Sequence, residues 1–92
     1  MRHYVYILFS LKDKKLYIGL TTNLKKRLQT HARGDVKSTH KRRPLRLIHY
    51  EYFISKQDAK AREIFLKSGA GRKQFKSFLK KTLMELEYEH RN

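Results

Sequence analysis

A chain of 92 residues suffices for one domain with a modest core, and 39% hydrophobic and 12% aromatic content argues for folding rather than disorder. The lack of cysteine excludes disulfides and thiolate zinc sites and fits a reducing, cytoplasmic compartment. No run nears the ~20 apolar residues of a membrane span, and the N-terminus lacks a signal peptide's apolar core. Lys and Arg number 23 against 8 Asp and Glu, a net charge of +15. Such a field draws polyanions. The basic residues are spread over the whole length instead of along one amphipathic helix, which favours nucleic acid over an anionic membrane surface.

Residues Tyr4–Phe9 and Leu16–Thr21 read as two strands of a hairpin, joined by a polar stretch around Lys12, Asp13 and Lys14. Thr22 or Asn23 can cap a helix over Leu24–Arg33, which Gly34 ends. The basic loop "GDVKSTHKRRP" follows, and "LRLIHYEYF" after Pro44 has the β-branched and aromatic content of a third strand. Ser55 and Asp58 resemble a capping box opening a helix to about Ser68. "GAG" (Gly69–Gly71) is expected to break it before a last helix from about Arg72 to Tyr88. The order β-β-α-β-α-α, without repeat or linker, predicts a single α+β domain over residues 1–92. A three-stranded, mainly antiparallel sheet flanked by helices is the economical arrangement.

Alternation places Val5, Ile7 and Phe9 on one face of the first strand and Tyr4, Tyr6 and Leu8 on the other. In the second strand, Leu16 and Ile18 oppose Tyr17 and Gly19. If the aliphatic faces coincide, Tyr6 and Tyr17 look the same way, with Gly19 leaving space beside them. Two tyrosines so placed are either core cover or part of a site. Arg27 and His31 stand four apart, on one helix face at the border of the apolar stripe. Arg27 is there either a solvated charge or a guanidinium able to meet a phosphate, and His31 either a surface histidine or a partner in the same site. Glu63 lies on the line Ala59, Glu63, Leu66, a helical face able to contact the sheet. It can pair with Arg62 or Lys67, or hold a cation that needs only one or two carboxylates.

The hairpin motifs "YVY" (Tyr4–Tyr6) and "YIG" (Tyr17–Gly19) are followed by "YIGLTTNLKKRLQTH", which puts Arg27 ten residues after Tyr17 and His31 four further on. "DAKAREIFLKSG" then carries Glu63. From about residue 4 to 71 this resembles the GIY-YIG nuclease domain, closest to small standalone bacterial members similar to the nuclease module of the bacterial repair excinuclease. Tyr4 stands where the family has its glycine, Leu20 follows "YIG" where some repair members carry a basic residue, and the asparagine of some members has no assigned counterpart.

The resemblance implies Mg²⁺- or Mn²⁺-dependent hydrolysis of phosphodiesters, most simply in DNA, with repair or recombination as candidate roles and no small-molecule cofactor. Tyr6, Tyr17, Arg27, His31 and Glu63 would be the catalytic set. In it Glu63 anchors the metal, Arg27 clamps a non-bridging oxygen, and Tyr17 acts as general base with Tyr6 orienting it or the water. His31 would relay the proton or hold the phenol, and Tyr17 as a mere positioner of the water is the open alternative. Lys25, Lys26, Lys37, Lys41, Arg42 and Arg43 would grip flanking phosphates, contacts that position a strand without reading its sequence. The competing expectations are a non-catalytic, basic nucleic-acid-binding module on the same fold, and a ribosomal or RNA-binding protein, which explains the charge but not the Tyr17–Arg27–His31–Glu63 spacing.

Overall fold

A computed structural model describes residues 2–86. Strands β1 (His3–Ser10), β2 (Leu16–Thr21) and β3 (Leu45–Phe53) form one antiparallel sheet in the order β2-β1-β3. Helices α1 (Leu24–Arg33), α2 (Lys56–Lys67), α3 (Gly69–Phe78) and α4 (Lys80–Glu85) complete the fold. The β1–β2 turn is tied by Ser10, whose hydroxyl accepts from the backbone N–H groups of Lys12 and Asp13.

Register follows burial. Val5 pairs with Leu20 and Ile7 with Ile18, so the aliphatic faces of the hairpin do coincide. That face meets α2, α3 and α4 in a core of Val5, Ile7, Ile18, Ala59, Leu66, Phe75 and Leu83. The opposite face presents Tyr6, Leu8, Tyr17 and Gly19, and α1 lies against it through Leu28 and His31 beside Leu8 and Leu47. The sheet is thus covered by a different helix on each side. The β1–β3 pairing shifts between Ile7 and Leu8, leaving Ile48 as an extra residue.

Helix ends follow local chemistry. Asn23 caps α1 by accepting from the Lys26 N–H at 3.1 Å, and Gly34 ends it in the left-handed region at φ 84°. Ser55 caps α2 by accepting from the Asp58 N–H. The break after α2 falls at Ser68, where it is expected, but the next helix starts earlier than Arg72: Gly69–Gly71 form the first turn of α3, because Ser68 caps a new helix at once by accepting from the Gly71 N–H. The single last helix is likewise two, α3 and α4, and the part expected at 87–88 lies outside the described residues.

Gly71 is also where α3 approaches α2 most closely. A Cβ there would fall 1.9 Å from the Phe65 carbonyl oxygen and 2.6 Å from Leu66 Cα, whereas a Cβ at Gly69 meets nothing within 4 Å. Backbone cannot yield as a flexible side chain does, so Gly71→Ala should cost about 3 kcal/mol. Gly69→Ala should leave stability within about 1 kcal/mol of the parent. Paired thermal melts check the contrast, and equal melting temperatures would contradict the close approach.

Candidate active site

The centre of the α1-covered face is Tyr6. Its side chain is fully buried and its ring lies across Gly19: a Cβ at that position would sit 2.4 Å from both Cζ and the hydroxyl oxygen. The space expected to lie open beside Gly19 is therefore filled from within the protein. The glycine is required because the Tyr6 ring crosses the backbone of the neighbouring strand, with Gly19 directly opposite in register.

Three polar side chains meet behind this ring. Arg27 Nε donates to the Tyr6 hydroxyl oxygen at 3.3 Å, and the same hydroxyl lies 2.8 Å from His31 Nε2. His31 Nδ1 in turn lies 2.8 Å from Thr39 Oγ1. When the phenol O–H points at Nε2, the neutral imidazole carries its proton on Nδ1 and donates it to Thr39. The result is a connected chain of hydrogen bonds, Arg27 to Tyr6 to His31 to Thr39. Tyr17 packs on its flank, with ring centroids 5.1 Å from His31 and 6.3 Å from Tyr6. Tyr17 and Arg27 are only half-buried, so they are the members of this group that solvent reaches.

Electrostatics fixes the protonation states. Burial pushes the Tyr6 phenol up, and the Arg27 hydrogen bond only partly offsets this, so Tyr6 remains a protonated donor at neutral pH. Burial, with the Arg27 charge second, depresses His31 to about 4, so its imidazole is neutral. The two phenols hold the guanidinium of Arg27 in its charged form, the Tyr6 hydrogen bond first. Of the two readings open for His31, the surface histidine is excluded: only 1% of the residue is exposed. Thr39, fully buried, carries no signal in the sequence. It lies inside a basic loop that resembles solvated chain, and only the fold shows it as the anchor of His31.

Glu63 is on the other layer. It shares the buried face of α2 with Ala59 and Leu66, as its spacing predicts, and α2 packs against the sheet face opposite Tyr6 and Tyr17. Its two oxygens accept from Lys60 at 3.0 Å and Lys67 at 3.1 Å, while Arg62 pairs instead with Glu51. Burial works to raise the Glu63 carboxyl, but the hydrogen bonds from Lys60 and then Lys67 win and hold it below its ordinary value. Among the described residues no three His, Asp or Glu side chains cluster as a metal cage. A hydrated divalent cation asks for less, one or two carboxylates with water and phosphate oxygens. Glu63 fits that demand: it is ionised, and both of its partners are ammonium groups on lysine side chains more than half exposed, at 59% and 54%.

The expected phosphate grip divides. Lys25, Lys26, Lys37 and Lys41 are exposed. Arg42 is engaged within the protein, donating to Asp13 at 2.6 Å and to the Leu16 carbonyl oxygen. Arg43 donates to the backbone carbonyls of His40 and Ala32, and its guanidinium lies over Gly34. Both arginines tie the basic loop to the hairpin and to α1, so that the lysines, with the exposed Arg43, are the side chains presented outward.

A sheet face carrying two tyrosines and an arginine from the following helix, with a glutamate on the helix after the third strand across the sheet, has the elements of a GIY-YIG-type domain. The chain belongs to the GIY-YIG catalytic domain family, whose model matches residues 2–76. It is similar to a UPF0213 protein of Clostridium perfringens, 38% identical over 88 residues, or 95% of this chain and 94% of the relative. A UPF0213 protein of Staphylococcus haemolyticus is 46% identical over 68 residues, 73% of this chain and 82% of the relative. Among solved structures, the solution NMR structure of a UPF0213 protein from Bacillus halodurans matches with a TM-score of 0.51 at 37% identity, covering 98% of this chain and 89% of that one. The family is a nuclease-type one, which implies a nucleic acid substrate. Among the described residues no helix is long and apolar enough to cross a membrane.

The buried imidazole generates a pH prediction. Its folded value near 4 lies below the ordinary 6.5, so the unfolded chain binds the extra proton first as pH falls. His31 therefore contributes stability fully present above about pH 6.5 and lost progressively toward pH 4, a span worth roughly 3 kcal/mol. Melting temperatures measured from pH 7 to pH 4.5 should fall in the parent and fall less steeply in His31→Gln. Parallel pH profiles for the two would refute a buried neutral imidazole.

Proposed function

We propose that the protein is a Mg²⁺- or Mn²⁺-dependent endonuclease that hydrolyses phosphodiester bonds in DNA with little intrinsic sequence specificity. The observation that carries this reading is the connected hydrogen-bond chain of Arg27, Tyr6, His31 and Thr39 with Tyr17 on its solvent side.

In-line attack of water on phosphorus builds charge on the non-bridging oxygens. Arg27, its Nε–H committed to Tyr6, is oriented to offer its remaining donors to such an oxygen, the kind of electrostatic contact that dominates many active sites. Tyr6 is buried and protonated, so its part is to aim Arg27 and to hold His31, and it is not the base. Tyr17, the more accessible phenol, is then the group placed to take the proton of the attacking water, or to position that water. His31, neutral and fixed on Thr39, braces both rings. Glu63 would hold the divalent cation, which when bound stabilises charge on the phosphate and on the leaving oxygen as a Lewis acid. The exposed lysines hold flanking phosphates, which implies positioning without base readout.

One observation favours a second reading, a non-catalytic nucleic-acid-binding module: both Glu63 oxygens are paired with lysines. A plasmid-nicking assay separates the two. Nicking should require Mg²⁺ or Mn²⁺, stop with chelator, and fall by about 100-fold or more in Arg27→Ala and Glu63→Gln. Glu63→Gln should shift stability by no more than about 1 kcal/mol, since its partners are exposed lysines. Absence of cleavage on duplex, branched and single-stranded substrates alike would establish the binder. Cleavage unchanged in Glu63→Gln would trace activity to another site or a contaminant. In either reading, DNA affinity should fall steeply and linearly on a log–log plot against salt; a flat titration would exclude phosphate-dominated contact.

A further inference from the structure

Beyond the α1-covered site, the same sheet face carries three further tyrosines. Tyr52 pairs with Tyr4 and Tyr50 with Tyr6 in the β1–β3 register, so their side chains leave the sheet on the Tyr6 side. Tyr4 lies with its ring centroid 6.1 Å from Tyr50 and 5.6 Å from Tyr52, tilted at 63° and 49°. Tyr50 and Tyr52 are each 52% exposed. A cleft of about 810 Å³ opens between this cluster and the start of α1, lined by Arg2, Tyr4, Lys25 and Tyr50 among others, with no acidic residue. Its size falls within the ~300–1,000 Å³ of sites that take small rings and their substituents.

Aromatic rings left this bare in a chain of net charge +15 call for an occupant that brings both a π-face and negative charge. An unpaired nucleotide supplies both. Its base stacks on tyrosine whatever its identity, and its phosphate meets Arg2 or Lys25. A base within an intact duplex has both faces covered by its neighbours and cannot use such a surface. The location matters as much as the chemistry: Tyr50 is one strand, ~5 Å, from Tyr6, the residue that orients Arg27.

We propose that Tyr4, Tyr50 and Tyr52 form a stacking platform for an unpaired base next to the phosphate held by Arg27, so that the substrate is single-stranded or frayed at that point. This deepens the nuclease reading by naming its substrate class, and rests on it for the adjacent phosphate but not for the stacking itself. Tyr50 and Tyr52 supply the exposed faces, and Tyr4 buttresses both from the central strand.

The test is fluorescence anisotropy of labelled oligo(dT), oligo(U) and a duplex of equal length, with chelator present so that nothing is cut. The parent should bind the single strands more tightly than the duplex. Tyr50→Ala with Tyr52→Ala should lose at least tenfold in single-strand affinity, the scale of a base–aromatic stack, and stay within about twofold on duplex. Tyr50→Phe with Tyr52→Phe should bind as the parent does, and the salt slope should not change, because no phosphate contact is lost. The oligo(dT) and oligo(U) arms tell DNA from RNA. Equal losses on single strand and duplex, no loss on either, or failure of the Phe pair to retain binding would overturn the platform. Because cleavage plays no part in the readout, a protein that never nicks DNA can still pass, and one that nicks can still fail.

Discussion

The hydrogen bond between the Tyr6 hydroxyl and His31 Nε2 is the contact on which the face of the sheet is organised. It joins the central strand to the helix on that side, and it forms only if β1 and β2 are in register with Gly19 opposite Tyr6. A side chain at 19 would drive the phenol off the backbone it crosses, and with it the acceptor of Arg27 and the partner of His31. Register, a requirement of aliphatic burial on the other face, thereby places the polar groups on this one. Core packing and site geometry are two consequences of one pairing.

Burial also decides which group does what. Tyr6 and Tyr17 are the same residue type on neighbouring strands, yet Tyr6 is sealed and Tyr17 is half open. Sealing raises the cost of phenolate, so Tyr6 is confined to donating a hydrogen bond, and the cationic Arg27 beside it is too weak an offset to reverse this. The same desolvation keeps His31 neutral, so that one of its ring nitrogens is an acceptor. A protonated His31 would place two donors around the phenol oxygen, next to the guanidinium. Burial and the Arg27 charge therefore both favour the neutral imidazole within the chain of bonds from Arg27 to Thr39.

Much of the fold was legible where local chemistry dictates it. Asn23 and Gly34 bracket α1, Pro44 precedes β3, and period-two alternation gives the two faces of the hairpin. What the residues alone concealed was everything requiring a partner far along the chain. His31, amid Lys25, Lys26 and Arg33, resembles a surface residue until Thr39 and Tyr6 close around it. Arg42 resembles a phosphate contact until Asp13, from the hairpin turn, takes its guanidinium. The glycine at 19 signalled a close approach, but not that the approaching group was Tyr6. Gly69–Gly71 do mark the end of α2, but they belong to the next helix although glycine disfavours helices, because Ser68 caps it at the first opportunity.

The sheet's two coverings impose a last constraint on the proposed chemistry. Arg27 and Tyr17 belong to the α1 side and Glu63 to the α2 side, so a three-stranded sheet stands between them. Groups on opposite faces can act on a single phosphate only where the sheet ends. β2 is an edge strand, packs with α2 on its far side, and carries Tyr17 and the side-chain-free Gly19 on its near side. In the proposed reaction a backbone crossing that edge would have to meet Arg27 and Tyr17 from one direction and Glu63, whose partners here are Lys60 and Lys67, from the other. The opposite edge, β3, bears Tyr50 and Tyr52. Since Tyr6 between the two edges is sealed beneath α1, a single strand stacked on β3 would approach Arg27 by way of the start of α1, where the cleft lined by Tyr4, Tyr50 and Lys25 opens.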